Sequence, residues 1–269
     1  MSSEIISVKD VTLRFGERTL WEDLSFTLGS GELLAILGPN GTGKTSLLRI
    51  LLGILEPTSG RVEVRGSPPR CCAAVGYIPQ QRIFDRDMPL RARDFVRLGV
   101  DGHRWGIRVL SRAQRKLIDN VLAEVGASSF ADAAIGHLSG GEQQRLRVAQ
   151  ALVSDPAVLL ADEPLLSLDP SYQRVITDLL DARRRRLGTP LLFVTHDINP
   201  ILPMVDRVLY LAPGRWAIGS ADEVLTSETL SSLYETEIDV LRVRGRVIVV
   251  GTPDEQHAHH VHEHGDMRV

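Results

Sequence analysis

Apolar and polar residues along the first part of the chain follow two different periods. Between residues 4 and 28 they alternate, as at Ile6 and Val8, which is typical of half-buried strands. A continuous apolar run at 33–37 predicts a strand buried on both faces, as in a parallel sheet. The pattern TSLLRILLG then predicts a helix that ends at Gly53. This part therefore predicts a small antiparallel β region followed by a strand–helix unit.

Strand patterns return in the second half of the chain. Apolar runs occupy 158–161, 191–194 and 207–211, and a helical pattern covers about 170–187 between the first two. Strands that alternate with helices indicate a parallel sheet. The predicted fold class is therefore α/β, with a mixed, largely parallel sheet.

The middle and the end of the chain differ from this core. Leu117, Ile118 and Val121 have the spacing of an amphipathic helix, and the stretch around them predicts an inserted helical subdomain. Residues 240–250 alternate around Gly245, which indicates a hairpin. The predicted division is a core at 1–80 and 156–230, a helical subdomain at 81–155, a hairpin extension at 231–253 and a flexible tail at 254–269.

Composition narrows the function classes. The 269 residues carry 31 Lys and Arg against 34 Asp and Glu, without the basic excess of a nucleic-acid binder. No apolar run approaches the roughly 18 residues of a membrane span, and the first residues do not resemble a signal peptide, so a cytoplasmic protein is expected. The basic run at 183–186, near a predicted helix end, is expected to face solvent.

A phosphate-binding loop follows the first buried strand. Residues 38–45 read GPNGTGKT and match the G-x-x-x-x-G-K-[ST] pattern, between a predicted strand and a predicted helix. Lys44 would bring positive charge to the β and γ phosphates, and Thr45 would place its hydroxyl on Mg²⁺. The predicted ATP-binding residues here are Gly38, Pro39, Asn40, Gly41, Thr42, Gly43, Lys44, Thr45 and Ser46.

Two polar clusters follow later strands and point to the same sheet edge. Asp162 and Glu163 follow the run at 158–161, and His196 follows the run at 191–194. Ligands bind beyond the carboxyl ends of parallel strands, so these residues are expected beside the phosphate loop. Asp162 would hold Mg²⁺, and Glu163 would orient or deprotonate an attacking water. A helix cap for the acidic pair and a structural histidine are the alternatives, and the neighbouring phosphate loop favours catalysis.

A second anion-binding segment lies at 138–152, LSGGEQQRLRVAQAL. Ser139 and Glu142 form an S-x-x-E capping box at the start of an amphipathic helix. Gly140 and Gly141 leave the backbone N–H groups at that helix start unshielded. One chain with two phosphate-binding surfaces suggests that two chains sandwich the nucleotide.

This segment resembles the signature motif of ATP-binding-cassette (ABC) ATPases, and the resemblance covers about residues 4–230. It implies that Phe15 stacks on adenine, although the family more often has Tyr there. It also implies that Gln80 meets Mg²⁺ and the membrane partner, with Gln81 distinguished from it only by spacing. The other implied assignments are the γ-phosphate clasp across a dimer for Ser139, Gly140 and Gly141, Mg²⁺ for Asp162, catalysis for Glu163, a dimer contact for Asp169 and a γ-phosphate switch for His196.

The resemblance implies a mechanism and a set of partners. Two copies would meet head to tail around two ATP molecules, and hydrolysis would separate them. The helical subdomain would pass that motion to an integral-membrane permease, which would hold this subunit peripherally on the inner face of the cell membrane. Asp169 lies in LSLDP, which departs from the usual form of the dimer-contact loop.

The cargo is suggested by two further features. The stretch after Gln80 is similar to that of zinc and manganese importers, which implies an extracytoplasmic metal-binding protein as a partner. The tail holds a histidine cluster, which suits Zn²⁺ or is a polar tail without a metal role: His257, His259, His260, His262 and His264. The alternatives are transport of an iron chelate or another solute, an exporter, and a soluble ABC ATPase that does not transport.

Overall fold

The structure is a computed structural model that describes residues 4–71, 75–80, 84–102 and 110–251. Its N-terminal part is a three-stranded antiparallel sheet in the order β2-β1-β4. The strands are β1 (Glu4–Phe15), β2 (Arg18–Gly29) and β4 (Ser59–Val64). Most apolar residues of β1, including Ile6 and Val8, are buried as predicted, and the polar residues Ser7 and Thr12 between them are buried as well.

The central sheet has six strands in the order β5-β6-β7-β3-β8-β9, all parallel except β9. Strand β3 is buried on both faces: Leu34 and Ile36 pack toward the antiparallel sheet, while Leu33 and Leu37 join the core on the other side. The predicted mixed, largely parallel α/β sheet is confirmed. The bounds are β3 (Leu33–Leu37), β5 (Val75–Ile78), β6 (Val158–Asp162), β7 (Leu191–Val194), β8 (Arg207–Ala212) and β9 (Arg215–Gly219).

Seven α-helices lie in the described part of the chain, and three of them come between β5 and β6 in the sequence. They are α1 (Lys44–Leu51), α2 (Ala92–Asp101), α3 (Arg112–Glu124), α4 (Gly140–Leu152), α5 (Pro170–Leu187), α6 (Ala221–Val224) and α7 (Ser227–Tyr234). Helix α3 buries Ile118 and Val121, as predicted, but Leu117 is 41% exposed. One residue along a helix turns the side chain by about 100°, which takes Leu117 off the buried face. None of the helices in the described part of the chain is long and apolar enough to cross a membrane.

The chain ends, within the described ranges, in the predicted hairpin. Strands β10 (Asp239–Val243) and β11 (Arg246–Val250) pair antiparallel across a turn at Arg244 and Gly245. Both turn residues have positive φ, which matches the right-handed twist of the strands. The histidine cluster of the tail lies outside the described residues.

The basic run at 183–186 does not simply face solvent, and that prediction was wrong for its first two members. Arg184 is buried, and its guanidinium donates to the carbonyl oxygens of Gly31 (2.6 Å) and Met204 (2.7 Å). It also pairs with Asp181 at 2.6 Å and Asp206 at 2.9 Å. The burial results from tertiary packing. The end of α5 lies against the turn between β2 and β3 and against the segment before β8, and the carbonyl oxygens of both segments need hydrogen-bond donors. Arg183 is also largely buried and pairs with a carboxylate, that of Asp155.

Replacing Arg184 with Ala is expected to lower the free energy of unfolding by about 3 kcal/mol, because it removes the donor from the carbonyl oxygens of Gly31 and Met204 and also removes the ion pairs with Asp181 and Asp206. Its neighbour Arg185 is the matched control: its side chain is 66% exposed, with one ion pair to Asp181. Arg185→Ala should cost under about 0.5 kcal/mol. Urea unfolding measures both, and equal costs would contradict the role of Arg184 as a buried link.

Candidate nucleotide site

The predicted site residues converge because four neighbouring parallel strands end at one edge of the central sheet. The phosphate loop follows β3, His196 follows β7, Asp162 and Glu163 close β6, and Gln80 follows β5. Strands β3, β7, β6 and β5 are adjacent in that order. The topology therefore places a glycine loop, an acidic pair, an amide and an imidazole side by side.

The phosphate loop has a backbone that requires glycine at two positions. Gly38 has a φ of 132°, and a Cβ there would lie 2.0 Å from the carbonyl oxygen of Leu211. Gly43 has a φ of 94°, and a Cβ there would lie 2.7 Å from Nε1 of Trp21. Because Gly43 is also the N-cap of α1, no side chain accepts from the first N–H groups of that helix. The loop thus fits a phosphate group, which helix N-termini and inward N–H groups bind.

Basic side chains donate hydrogen bonds to the backbone of this loop, one from within the loop and one from strand β2. Lys44 is buried, and its Nζ donates to the carbonyl oxygens of Gly38 at 2.6 Å and Pro39 at 2.8 Å. Arg18, the first residue of β2, donates to Gly41 O at 3.0 Å. Phe15 is the last residue of β1, lies opposite Arg18 and is 52% exposed, so its ring is accessible. The sequence reasoning missed Arg18, because no local pattern places a residue 23 positions away against the loop.

A hydroxyl and a carboxylate lie together where the sequence predicts Mg²⁺. The Thr45 hydroxyl donates to Asp162 Oδ2 at 2.9 Å, and Tyr77 OH lies 3.5 Å from the same oxygen. Burial raises the pKa of Asp162 above the usual range of a carboxyl. A cation there would offset the cost of ionisation, and oxygen ligands are what Mg²⁺ prefers. The residues present therefore fit Mg²⁺; the sequence reasoning did not identify Tyr77.

Metal binding by protein groups alone has no support within the described ranges. They contain no group of three or more His, Cys, Asp or Glu side chains that could hold a metal ion. The predicted zinc ligands of the tail lie outside these ranges and stay a prediction.

Glu163 is held between the amide of Gln80 and the imidazole of His196. Gln80 Nε2 donates to Glu163 Oε2 at 2.9 Å, and His196 Nε2 lies 2.5 Å from Oε1. The Glu163 side chain is only 11% exposed. Its backbone has a φ of 51°, an uncommon conformation for a residue other than glycine. Asp162 and Glu163, although adjacent, therefore serve different partners, and a nearly buried carboxylate with two polar neighbours is suited to orienting a water.

The signature segment makes different contacts from the phosphate loop. Ser139 and Glu142 form the predicted capping box at the start of α4, with Glu142 Oε2 accepting from Ser139 N at 2.8 Å. A Cβ at Gly141 would lie 3.4 Å from Ser167 O, and Gln144 Nε2 donates to Pro164 O at 3.1 Å. The segment with Ser139, Gly140 and Gly141 thus packs on the connection that follows Glu163, and offers a second helix N-terminus.

Asp169 caps helix α5. Its Oδ1 accepts from the hydroxyl of Ser171 at 2.5 Å and from the backbone N–H groups of Ser171 and Tyr172. The Ser171 hydroxyl, and then the Tyr172 N–H, lower the pKa of Asp169, which keeps the cap ionised. This local role is visible within one chain, whereas the predicted dimer contact requires a second copy.

The sequence of this chain is similar to those of known proteins. The ABC transporter family model matches residues 21–166. The zinc import ATP-binding protein ZnuC of Yersinia enterocolitica serotype O:8 / biotype 1B is 33% identical over 232 residues, which cover 86% of each chain.

Two solved structures are similar in fold. A metal-chelate type ABC transporter in an inward-facing conformation matches at a TM-score of 0.76 and 25% identity, covering 92% of this chain and 96% of that one. The ATP-binding cassette MJ0796, a dimer in a post-hydrolysis state bound to ADP and Pi, matches at 0.67 and 27%, covering 79% and 97%. The phosphate loop, the acidic pair and these likenesses agree: the chain belongs to the ABC transporter family and is an ATPase whose ATP hydrolysis energises transport.

Proposed function

We propose that this chain is the ATP-hydrolysing subunit of an importer of a divalent metal ion, zinc or manganese. The observation that carries the cargo assignment is the likeness to a zinc import ATP-binding protein over 86% of both chains. The segment after Gln80 and the histidine-rich tail agree with it. Transport of a metal chelate is the second candidate, because a structure of that transporter type covers 92% of the chain at a TM-score of 0.76.

We assign the residues of the site as follows. Phe15 stacks on adenine, Lys44 neutralises the β and γ phosphates, and the backbone N–H groups of residues 40–46 surround them. Thr45, Asp162 and Gln80 hold Mg²⁺, which when bound screens the charge of the phosphate oxygens. Ser139, Gly140 and Gly141 clasp the γ-phosphate bound by the other copy. Asp169 contributes a dimer contact.

Glu163 performs the proton transfer in this proposal. Its carboxylate, fixed by Gln80 and His196, accepts a proton from the water that attacks the γ-phosphorus. The bond between the γ-phosphorus and the bridging oxygen breaks, and ADP leaves with that oxygen. His196 holds Glu163 at Oε1 and contacts the γ-phosphate region, so it links the state of the nucleotide to the position of the base.

The proposed partners follow from the family and the cargo. ATPases of this family act with membrane permeases and dimerise. We propose a homodimer here, bound to the permease on the inner face of the cell membrane, and an extracytoplasmic protein that delivers the metal.

Co-purification tests this proposal. The Glu163→Gln variant would be trapped with ATP and Mg²⁺, extracted gently from membranes, and its partners identified by mass spectrometry. We expect a permease with several membrane spans, together with a metal-binding protein. Glu124→Gln, at an exposed position of α3, is the control and should recover less of the trapped complex. Recovery of soluble proteins alone would contradict the proposed permease and metal-binding partners.

We further propose that the tail binds zinc, because neutral imidazoles are good Zn²⁺ ligands and five of the eight histidines of the chain are in it. Removing residues 254–269 should abolish a zinc-binding event that titration calorimetry detects in the full chain. Replacing the five histidines with Asn should have the same effect. Equal zinc affinity in the full and shortened chains would contradict the proposal.

A further inference from the structure

The amide side chain of Asn199 joins the C-terminal hairpin to the loop that carries His196. Asn199 Nδ2 donates to the carbonyl oxygen of Val247 at 3.0 Å, and Val247 N donates back to Asn199 Oδ1 at 2.8 Å. The two residues are 48 positions apart in the sequence. One side chain therefore satisfies both backbone groups of a residue in β11.

The register of the hairpin explains why Val247 is available. It lies opposite Arg242 in β10, at a position where its N–H and C=O point to the outer edge of the hairpin, because backbone groups of an antiparallel strand alternate in direction. Asn199 bonds to that edge as a residue of a third strand would. The Val247 side chain is only 6% exposed, so the hairpin is also anchored there by packing.

The same Asn199 fixes the turn after His196. Asp197 Oδ1 accepts from Asn199 N at 2.9 Å and from Asn199 Nδ2 at 2.8 Å. On the other side of His196, Thr195 N donates to Ile36 O of β3 at 3.2 Å, and Thr195 Oγ1 donates to Asp197 O at 2.8 Å. His196 is thus held between the central sheet on one side and the hairpin on the other.

Packing restrains this turn two residues beyond His196, where Ile198 is buried in the core that also includes Val247. A cavity of about 350 Å³ lies between the phosphate loop, the His196 turn and the hairpin; its lining includes Gly38, His196, Tyr210, Tyr234 and Val249. The hydrogen bonds of Asn199 add a second restraint on the turn, directed to the hairpin backbone. His196, whose side chain is 45% exposed, has little packing of its own.

We propose that Asn199 is a positioning residue for hydrolysis, which makes the C-terminal hairpin part of the hydrolytic apparatus. The inference rests on the proposed role of His196. Asn199 acts through His196: when its bonds to Val247 and Asp197 are lost, the imidazole leaves the position 2.5 Å from Glu163. Misplacement of a catalytic group by about 1 Å can cost up to about 100-fold in rate, while ATP binding, which depends on the phosphate loop, should change little.

The test is Asn199→Ala in the full chain, assayed for ATP turnover with radiolabelled nucleotide so that slow rates are measured. We expect kcat to fall about tenfold and KM for ATP to stay within about twofold, because only the chemical step loses its geometry. Asn120→Ala, the same change at an exposed position of α3, is the control and should match the wild type. In a His196→Ala background, Asn199→Ala should not lower kcat further, because each change removes the same contact, that between His196 and Glu163.

Three results would overturn the inference: an unchanged kcat, a loss that appears mainly in KM, or an equal further loss in the His196→Ala background. If Asn199→Ala does not fold, Asn199→Asp keeps the size and the acceptor for Val247 N–H but sets a carboxylate oxygen against Asp197 Oδ1 and Val247 O, and it should give a loss of the same kind, in kcat and not in KM. If the proposed role of His196 itself is wrong, His196→Ala should turn over ATP at the wild-type rate. This result separates failure of that role from failure of the inference about Asn199.

Discussion

Replacing Glu163 with Gln should lower kcat for ATP hydrolysis by about 1,000-fold, because an amide cannot accept the proton that general-base catalysis requires. Gln is nearly the same size, so the contacts with Gln80 and His196 keep their spacing. ATP affinity should therefore change little. Phosphate release measures the rate, and equilibrium binding of a fluorescent ATP analogue measures the affinity.

Two further variants are compared with Glu163→Gln in the same assays. Glu124→Gln makes the same chemical change at an exposed position and should turn over at the wild-type rate. Asp162→Asn should instead raise the Mg²⁺ concentration that half-maximal turnover requires, since Asp162 bonds to Thr45 at the proposed Mg²⁺ position. Turnover of Glu163→Gln within about tenfold of the wild type would remove Glu163 from the role of general base.

Replacing Lys44 with Ala should weaken ATP binding by about 100-fold, because an ammonium that bonds to phosphate oxygens contributes about 3 kcal/mol. The buried Nζ now bonds to Gly38 O and Pro39 O, at the centre of the loop, so its charge lies where phosphates would bind. Lys116→Ala, on the exposed face of α3, is the matched control.

Equilibrium dialysis with ATP and Mg²⁺ measures the affinity of both lysine variants. Loss of the Lys44 side chain also frees the two carbonyls it bonds to, so the circular dichroism spectrum should be checked for an intact fold. An unchanged ATP affinity in a folded Lys44→Ala variant would contradict the assignment of this loop to phosphate binding.

The parts of the fold with strong local signals could be predicted from the sequence. Strand β3, the phosphate loop and α1 form one continuous pattern, and α5 has its predicted bounds, Pro170–Leu187. Asp169 and Pro170 at its start and Gly188 at its end are strong local signals for helix boundaries. The convergence of Asp162, Glu163 and His196 also followed from the rule that ligands bind beyond parallel strands.

Contacts between distant segments could not be predicted in the same way. Arg184 was expected in solvent because a basic run at a helix end usually lies there, and only the packed sheet supplies Gly31 O and Met204 O as its partners. Tyr77 and Arg18 have no motif around them, although each contacts a site residue. Asn199 bonds to a backbone 48 positions away, and a side chain–backbone pair of this kind has no sequence signature.

In the proposed dimer, the phosphate loop of one copy and the signature segment of another form a single ATP site. Light scattering of the Glu163→Gln variant, with and without ATP and Mg²⁺, tests this arrangement. We expect a monomer without nucleotide, and with ATP a particle of twice the mass that holds two ATP molecules. A monomer that binds ATP at saturation would contradict it.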